Sequence, residues 1–195
     1  MTVPTLRDED WLDRDPLVTT YENTAFAGVD LMDWDEHGHV FSACTFRDVR
    51  FNVSRHTDAA FVNCTFTGCS FFDATFTRCK LVGSRFERCT FTLLKVHGGD
   101  WSFVALAGAD LSGAELREVR LREAELTGAR CNGTTLRDCD LWGAATGRGS
   151  YEKADLRGSD LSSFDLETTL FRGAVITADQ AVVLAGRLGL DVRAE

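Results

Sequence analysis

The sequence predicts an all-β solenoid of about eight coils, each made of four five-residue units, capped by a short C-terminal α-helix. Three observations carry that reading. From Tyr21 to Ile176 every fifth residue is large and apolar at 28 of 32 positions, and eleven of the fourteen Phe fall there. The exceptions are Glu36, His56, Cys131 and Thr146. Two residues earlier the chain is small, with six of the seven Cys in that slot and Ala in many of the rest. Two residues later Gly recurs, as at Gly68, Gly108 and Gly143, where a corner needs a permissive backbone.

A strand has period two, so residues i−2 and i point the same way, while a period of five leaves one residue out of step in each unit. The chain therefore bends once per pentad. Bends repeated in one sense wind it into a coil, with the small and large residues inside and the polar ones outside.

Charge decides how many pentads make a turn. Residues one coil apart stack at about 4.8 Å, where opposite charges help and like charges hurt. Among the outward i−1 residues, a separation of 20 pairs Asp30 with Arg50, Asp35 with Arg55, Lys80 with Asp100, Lys95 with Glu115 and Asp110 with Arg130. Separations of 15 and 25 juxtapose more like than unlike charges. Four pentads per turn give a square prism roughly 38 Å long, eight times about 4.8 Å. Its four interior ladders start at Tyr21, Phe26, Leu31 and Glu36, and turn from Phe-rich to Leu-rich near residue 96.

The flanks complete the domain plan. Residues 1–20 hold no pentads and form an acidic lead, with Trp11, Leu12 and Leu17 laid over the open end. Residues 21–176 are the solenoid. In 177–195, Thr177-Ala178-Asp179-Gln180 has the form of a capping box, and the apolar residues from Ala181 to Leu188 follow at helical spacing up to Gly189. Leu190-Asp191-Val192 reads as a brief strand.

Composition narrows function. The chain has 195 residues, a formal net charge of −9 and a pI near 4.9, which argues against a grip on phosphate backbones and so against direct nucleic-acid binding. No apolar run reaches the roughly 18 residues of a membrane span, and the acidic start lacks a signal-peptide core, so a cytoplasmic protein is expected. Seven Cys without a Cys-x-x-Cys pair read as reduced core thiols, although Cys44 with Cys64 and Cys69 with Cys89 stack within disulfide range.

No cofactor is implied. Asp35, Glu36, His37, His39 and His56 form a cluster of metal-ligand type, but Glu36 and His56 should point inward and His37 outward, so a hydrogen-bonded pair is expected instead of a metal. Gly143 to Ser150 lacks the spacing of a phosphate loop and is solenoid wall. No nucleophile–base arrangement can be read, and an enzyme is not expected.

Acid gathers at the ends: two basic and ten acidic side chains in residues 1–40, eight and five in 41–100, eleven and fifteen in 101–195. Asp140 above Asp160 is the one like-charge stack of the outward ladder, near Asp138, Glu152, Asp155, Asp165 and Glu167. Those seven carboxylates are the candidate site for a basic partner. Val182, Val183, Leu184, Leu188, Leu190 and Val192 are too many for one end to hide, and predict a homodimer joined at the C-termini, a rod near 76 Å, about 22 base pairs of duplex long.

This pattern, small at i−2, Phe or Leu at i and Gly at i+2, resembles the pentapeptide-repeat family over residues 21–176. An unbroken register, Ser54-Arg55-His56 ahead of Ala60 to Phe66, Gly98-Gly99-Asp100, and the ending Asp179-Gln180-Ala181-Val182 with Leu188-Gly189-Leu190 resemble its MfpA/Qnr-type quinolone-resistance members. The resemblance implies a right-handed quadrilateral β-helix, a dimer through the C-terminal helix shaped like B-DNA, and DNA gyrase as partner, inhibited or protected from fluoroquinolone-like poisons. Arg117, Arg120, Arg122 and Arg130 interrupt the acidic surface that such mimicry wants. A rigid interaction scaffold, or a self-immunity factor against another toxin, is the alternative.

Overall fold

The computed structural model describes residues 4–8, 11, 15 and 17–193. Its repeating event is a parallel pairing of residue n with residue n+20, the separation that the charges select. Asp35–His37, Arg55–Thr57, Thr75–Thr77, Lys95–His97, Glu115–Arg117 and Thr135–Arg137 pair in succession as three-residue strands. Single bridges carry the same ladder on through Asp155 to Val175, giving eight rungs. The ladder ending on Ala145 also has eight, because β1 (Thr5–Arg7) pairs with β3 (Ala25–Ala27) and sets Leu6 against Phe26. Coiling thus begins inside the stretch read as a lead. Trp11 is buried against Tyr21, Phe26 and Trp34 over that end, whereas Leu17 is 85% exposed and covers nothing; Leu12 lies outside the described residues.

The interior is a set of stacked rings. Phe26, Phe46, Phe66 and Phe86 lie nearly parallel with centroids 4.7 to 4.8 Å apart, set by the strand spacing. Neighbouring ladders meet edge to face, as Phe51 does Phe66 at 68°. Each such ring removes well over 100 Å² from water, at about 25 cal/mol per Å².

The small slot is small for a second reason besides space. Its hydroxyls and thiols donate to a carbonyl 23 residues earlier: Ser84 Oγ to Phe61 O at 2.7 Å, Thr134 Oγ1 to Leu111 O at 2.7 Å, Cys64 Sγ to Phe41 O at 3.4 Å. These bonds tie coil to coil through a largely apolar core. Near the C-terminal end large and small change places. Phe164 fills a small slot, fully buried against Tyr151 and Phe171, and Leu166, assigned to the interior ladder, is partly exposed. Thr146, a small residue in a large slot one coil before, leaves the room, and its Oγ1 accepts from Asp165 N–H at 3.0 Å.

Helix α1 (Ala178–Arg187) closes the prism. Its capping box forms as read, with Thr177 and Gln180 bonding each other's backbone N–H. Gln180 Nε2 donates to Leu156 O and Ser159 O, both 2.7 Å, and Arg187 reaches Leu161 O and Phe164 O. Four carbonyls of what would otherwise be an open sheet edge thereby gain donors. Leu190-Asp191-Val192 forms no strand: there is no neighbouring rung left for it to pair with.

Candidate functional site

Sequence reading singles out three groups of residues, and the fold disposes of each differently. The Glu36–His56 pair exists, and it is the centre of a larger buried network. His56 Nδ1 lies 2.9 Å from Glu36 Oε1, His56 Nε2 lies 2.8 Å from Ser54 Oγ, and Glu36 Oε2 meets His39 Nδ1 at 3.0 Å and accepts from the His39 backbone N–H at 3.1 Å. Ser54 and His39 both occupy the inward i−2 slot, but sequence reading weighed that slot only for its small residues and left these two out of the hydrogen-bonded pair. Ser54 occupies a small slot, which a search for polar residues there would have found.

Serine, histidine and glutamate in hydrogen-bonded order suggest a nucleophile and its base. The details oppose it. Ser54 Oγ donates its proton to Phe51 O at 2.7 Å, so it faces His56 as an acceptor and has no proton for a base to withdraw. Ser54 and His56 have no exposed surface at all, and Glu36 has 3%. Burial also holds the His56 imidazole below its ordinary value of 6.5, with Glu36 partly opposing the shift. The cluster is a polar plug in an aromatic stack, its imidazole lying 4.6 Å above Phe76. Among the described residues no cluster of His, Cys, Asp and Glu has the arrangement of a metal site.

The seven carboxylates come to one end of the rod but not to one face. Asp140 and Asp160 lie on the face of Leu141, Asp165 and Glu167 on the next, Glu152 on the third, Asp155 on the fourth, and Asp138 at a corner; together they make a collar. Several are engaged. Asp140 Oδ2 accepts from Arg122 Nε at 2.5 Å, and Asp155 accepts two bonds from Arg157 at 2.7 and 2.8 Å, which holds its carboxyl down to about 2. Asp160 and Asp165 instead accept backbone N–H groups at their own turns, Ser162 N–H at 2.8 Å and Glu167 N–H at 3.0 Å. Exposed ion pairs of this kind contribute about 0–1 kcal/mol each, so the collar's charge stays available to a partner.

The C-terminal apolar set is largely solvent-facing: Val182, Val183, Leu188, Leu190 and Val192 are each roughly half exposed or more. Leu184 differs, being turned inward onto the core. With Leu156, Leu161, Phe171, Ile176 and Leu188 it lines an apolar groove of about 280 Å³ between helix and last coil.

The model of the family described as pentapeptide repeats matches residues 57–92 and 106–143, with eight copies. The register between those segments and beyond them is the same one. The match identifies those two segments as pentapeptide repeats. No curated protein matches the chain in sequence. Among solved structures, the chain is similar to a trypsin-treated form of QnrB1, described as a plasmid-mediated fluoroquinolone resistance protein, at 20% identity, covering 99% of this chain and 100% of that one with a TM-score of 0.47. Full-length QnrB1 is 22% identical, with coverage of 96% and 95% and a TM-score of 0.45. HetL, a pentapeptide-repeat protein involved in heterocyst differentiation regulation in the cyanobacterium Nostoc, is 16% identical, with coverage of 87% and 94% and a TM-score of 0.33. No helix among the described residues is long and apolar enough to cross a membrane.

Proposed function

We propose that this protein is a non-catalytic DNA mimic that binds a type II topoisomerase, DNA gyrase, at the basic saddle that takes duplex, inhibits or modulates it, and protects it from fluoroquinolone-like poisons. The observation that carries the reading is the collar: a rod of constant 20-residue coils, in a chain of net charge −9, that gathers carboxylates around one end beside an uncovered apolar cap. Pairing two caps about a two-fold axis would hide Val182, Val183, Leu188, Leu190 and Val192 and bring two collars to the middle of a rod about 76 Å long. Carboxylates there replace phosphates against a two-fold-symmetric basic groove, at a spacing a stiff solenoid keeps without reorganisation. The resemblance to MfpA/Qnr-type sequences supports gyrase as the enzyme.

Micromolar protein is expected to reduce gyrase supercoiling and quinolone-stabilised cleavage. Val183→Asp with Leu190→Asp, both on exposed positions and so harmless to folding, should sediment as a monomer and lose that effect. Unchanged supercoiling and cleavage with the unaltered protein would remove the proposal.

A further inference from the structure

Apart from the last coil, where no bridge joins Asp140 to Asp160 or Ala145 to Asp165, the coil-to-coil ladder opens at one seam. Elsewhere on that corner Gly68 N–H donates to Glu87 O at 2.9 Å, Phe71 N–H to Thr90 O at 2.9 Å, Asp73 N–H to Thr92 O at 2.9 Å and Thr90 N–H to Cys69 O at 3.0 Å. One coil further the four equivalent bonds, from Arg88, Phe91, Leu93 and Asp110, are not made, and one coil further again they resume, as in Leu111 N–H to Arg130 O at 2.7 Å. An opening of about 240 Å³ lies there, lined by Cys89, Thr90, Phe91, Thr92, Asp110 and Ser112.

Two departures from the repeat lie across the prism from this seam. Trp101 puts an indole between Leu81 and Leu121 in its ladder, fully inside the core and facing Phe86 of the next ladder with centroids 6.3 Å apart. The chain closes on itself at Gly99, where a Cβ would come 2.2 Å from Cys79 O.

The seam bares a thiol. Cys89 is partly exposed and stacks one coil from the buried Cys69; each thiol donates to backbone carbonyls, Cys89 Sγ to Phe66 O and Glu87 O at 3.5 Å and Cys69 Sγ to Phe46 O at 3.4 Å, and the neighbouring thiol lowers Cys89 and raises Cys69 from the ordinary thiol value. Strand spacing, about 4.8 Å, falls within the Cα separation of about 4.4–6.8 Å that a disulfide needs.

We propose that Cys89 and Cys69 form an oxidisable dithiol that small hydroperoxides reach through this seam. The Cys89 thiolate attacks the O–O bond of ROOH; the sulfur is oxidised to sulfenic acid, and ROH leaves after taking a proton. The Cys69 sulfur then displaces hydroxide from the sulfenic acid, forming the S–S bond, and the Cys69 proton leaves with that hydroxide as water. Cys44 and Cys64 supply the internal comparison. They are the same kind of stacked pair, with Cys44 lowered to about 7, yet both are about 1% exposed and their coils are fully bonded.

The test is hydrogen peroxide added to the folded, full-length protein, followed by peptide mapping by mass spectrometry. Cys69 and Cys89 should be recovered linked, about two mass units lighter, at least about tenfold faster than Cys44 and Cys64. Cys69→Ser, a substitution the slot accepts since Ser54, Ser84 and Ser159 occupy equivalent places, should leave Cys89 as a sulfenic acid that dimedone traps. Equal oxidation of both pairs, or no dimedone label on Cys89 in a Cys69→Ser protein with a normal melt, would overturn the proposal.

Discussion

Phe66→Asp will not fold. The ring lies between Phe46 and Phe86 with 1% exposure, and truncating such a residue costs about 3–5 kcal/mol before the carboxylate is counted. A buried unpaired carboxylate adds several more, against a total stability of about 5–15 kcal/mol for a domain. Leu106→Asp, 1% exposed in the same ladder, should behave alike. Thr67→Lys, one residue along and pointing outward from the strand Thr65–Thr67, should shift the melt by no more than about 0.5 kcal/mol. Circular dichroism melts of the three proteins check this, and a stable Phe66→Asp would show that the interior register is wrong.

The second large effect lies in the buried plug. His56→Ala removes the main partner of a buried Glu36 and one ring of a stack, and is expected to cost about 3–5 kcal/mol. Replacing both partners, Glu36→Leu with His56→Phe, continues the apolar ladder and should be neutral or stabilising. The pair also gives stability a pH dependence of known sign. Unfolded His56 takes up a proton near 6.5, while the native state resists it, so the unfolded chain binds more protons as pH falls below 6.5 and stability drops. The groups facing His56 are Glu36, His39, Ser54 and the nearby Asp35. Carboxyls held down by arginine or backbone partners, Asp58, Asp110 and Asp155 among them, stabilise above about 4 and lose that contribution only below it. Denaturation midpoints from pH 7 to pH 5 should therefore fall for the unaltered protein and stay level for the double variant; parallel curves would assign the acid sensitivity elsewhere.

The solenoid was legible because its signal is periodic: one residue in five sets the interior, and a charge at n with its opposite at n+20 sets the turn, as Asp30 with Arg50 at 2.5 Å and Asp110 with Arg130 at 3.1 Å bear out. What escaped was whatever breaks or crosses the period. β1 lies beyond the first apolar pentad, so only its pairing with Ala25–Ala27 reveals it. Phe164 and Thr146 exchange large and small between slots in different coils, a compensation invisible to a scan of one slot at a time. Asp140 stacks on Arg120 at the 20-residue spacing, yet its ion pair is with Arg122, because an arginine reaches diagonally across rungs. The carboxylate patch was grouped by closeness in sequence, whereas successive pentads occupy successive faces, so it became a collar. The seam at Cys89 is a loss of backbone bonds between residues 20 apart in a stretch whose apolar period is unbroken, so no scan of that period shows it.

Competition for the duplex-binding saddle tests the central claim most directly. A fluorescently labelled duplex bound to gyrase is titrated with this protein at low salt, and its anisotropy is followed. The account predicts complete displacement, weakened as salt rises and weakened further by Asp140→Asn with Asp160→Asn, because screening and charge removal act on the same contacts. Duplex that stays bound at saturating protein, or displacement indifferent both to salt and to those two substitutions, would contradict it.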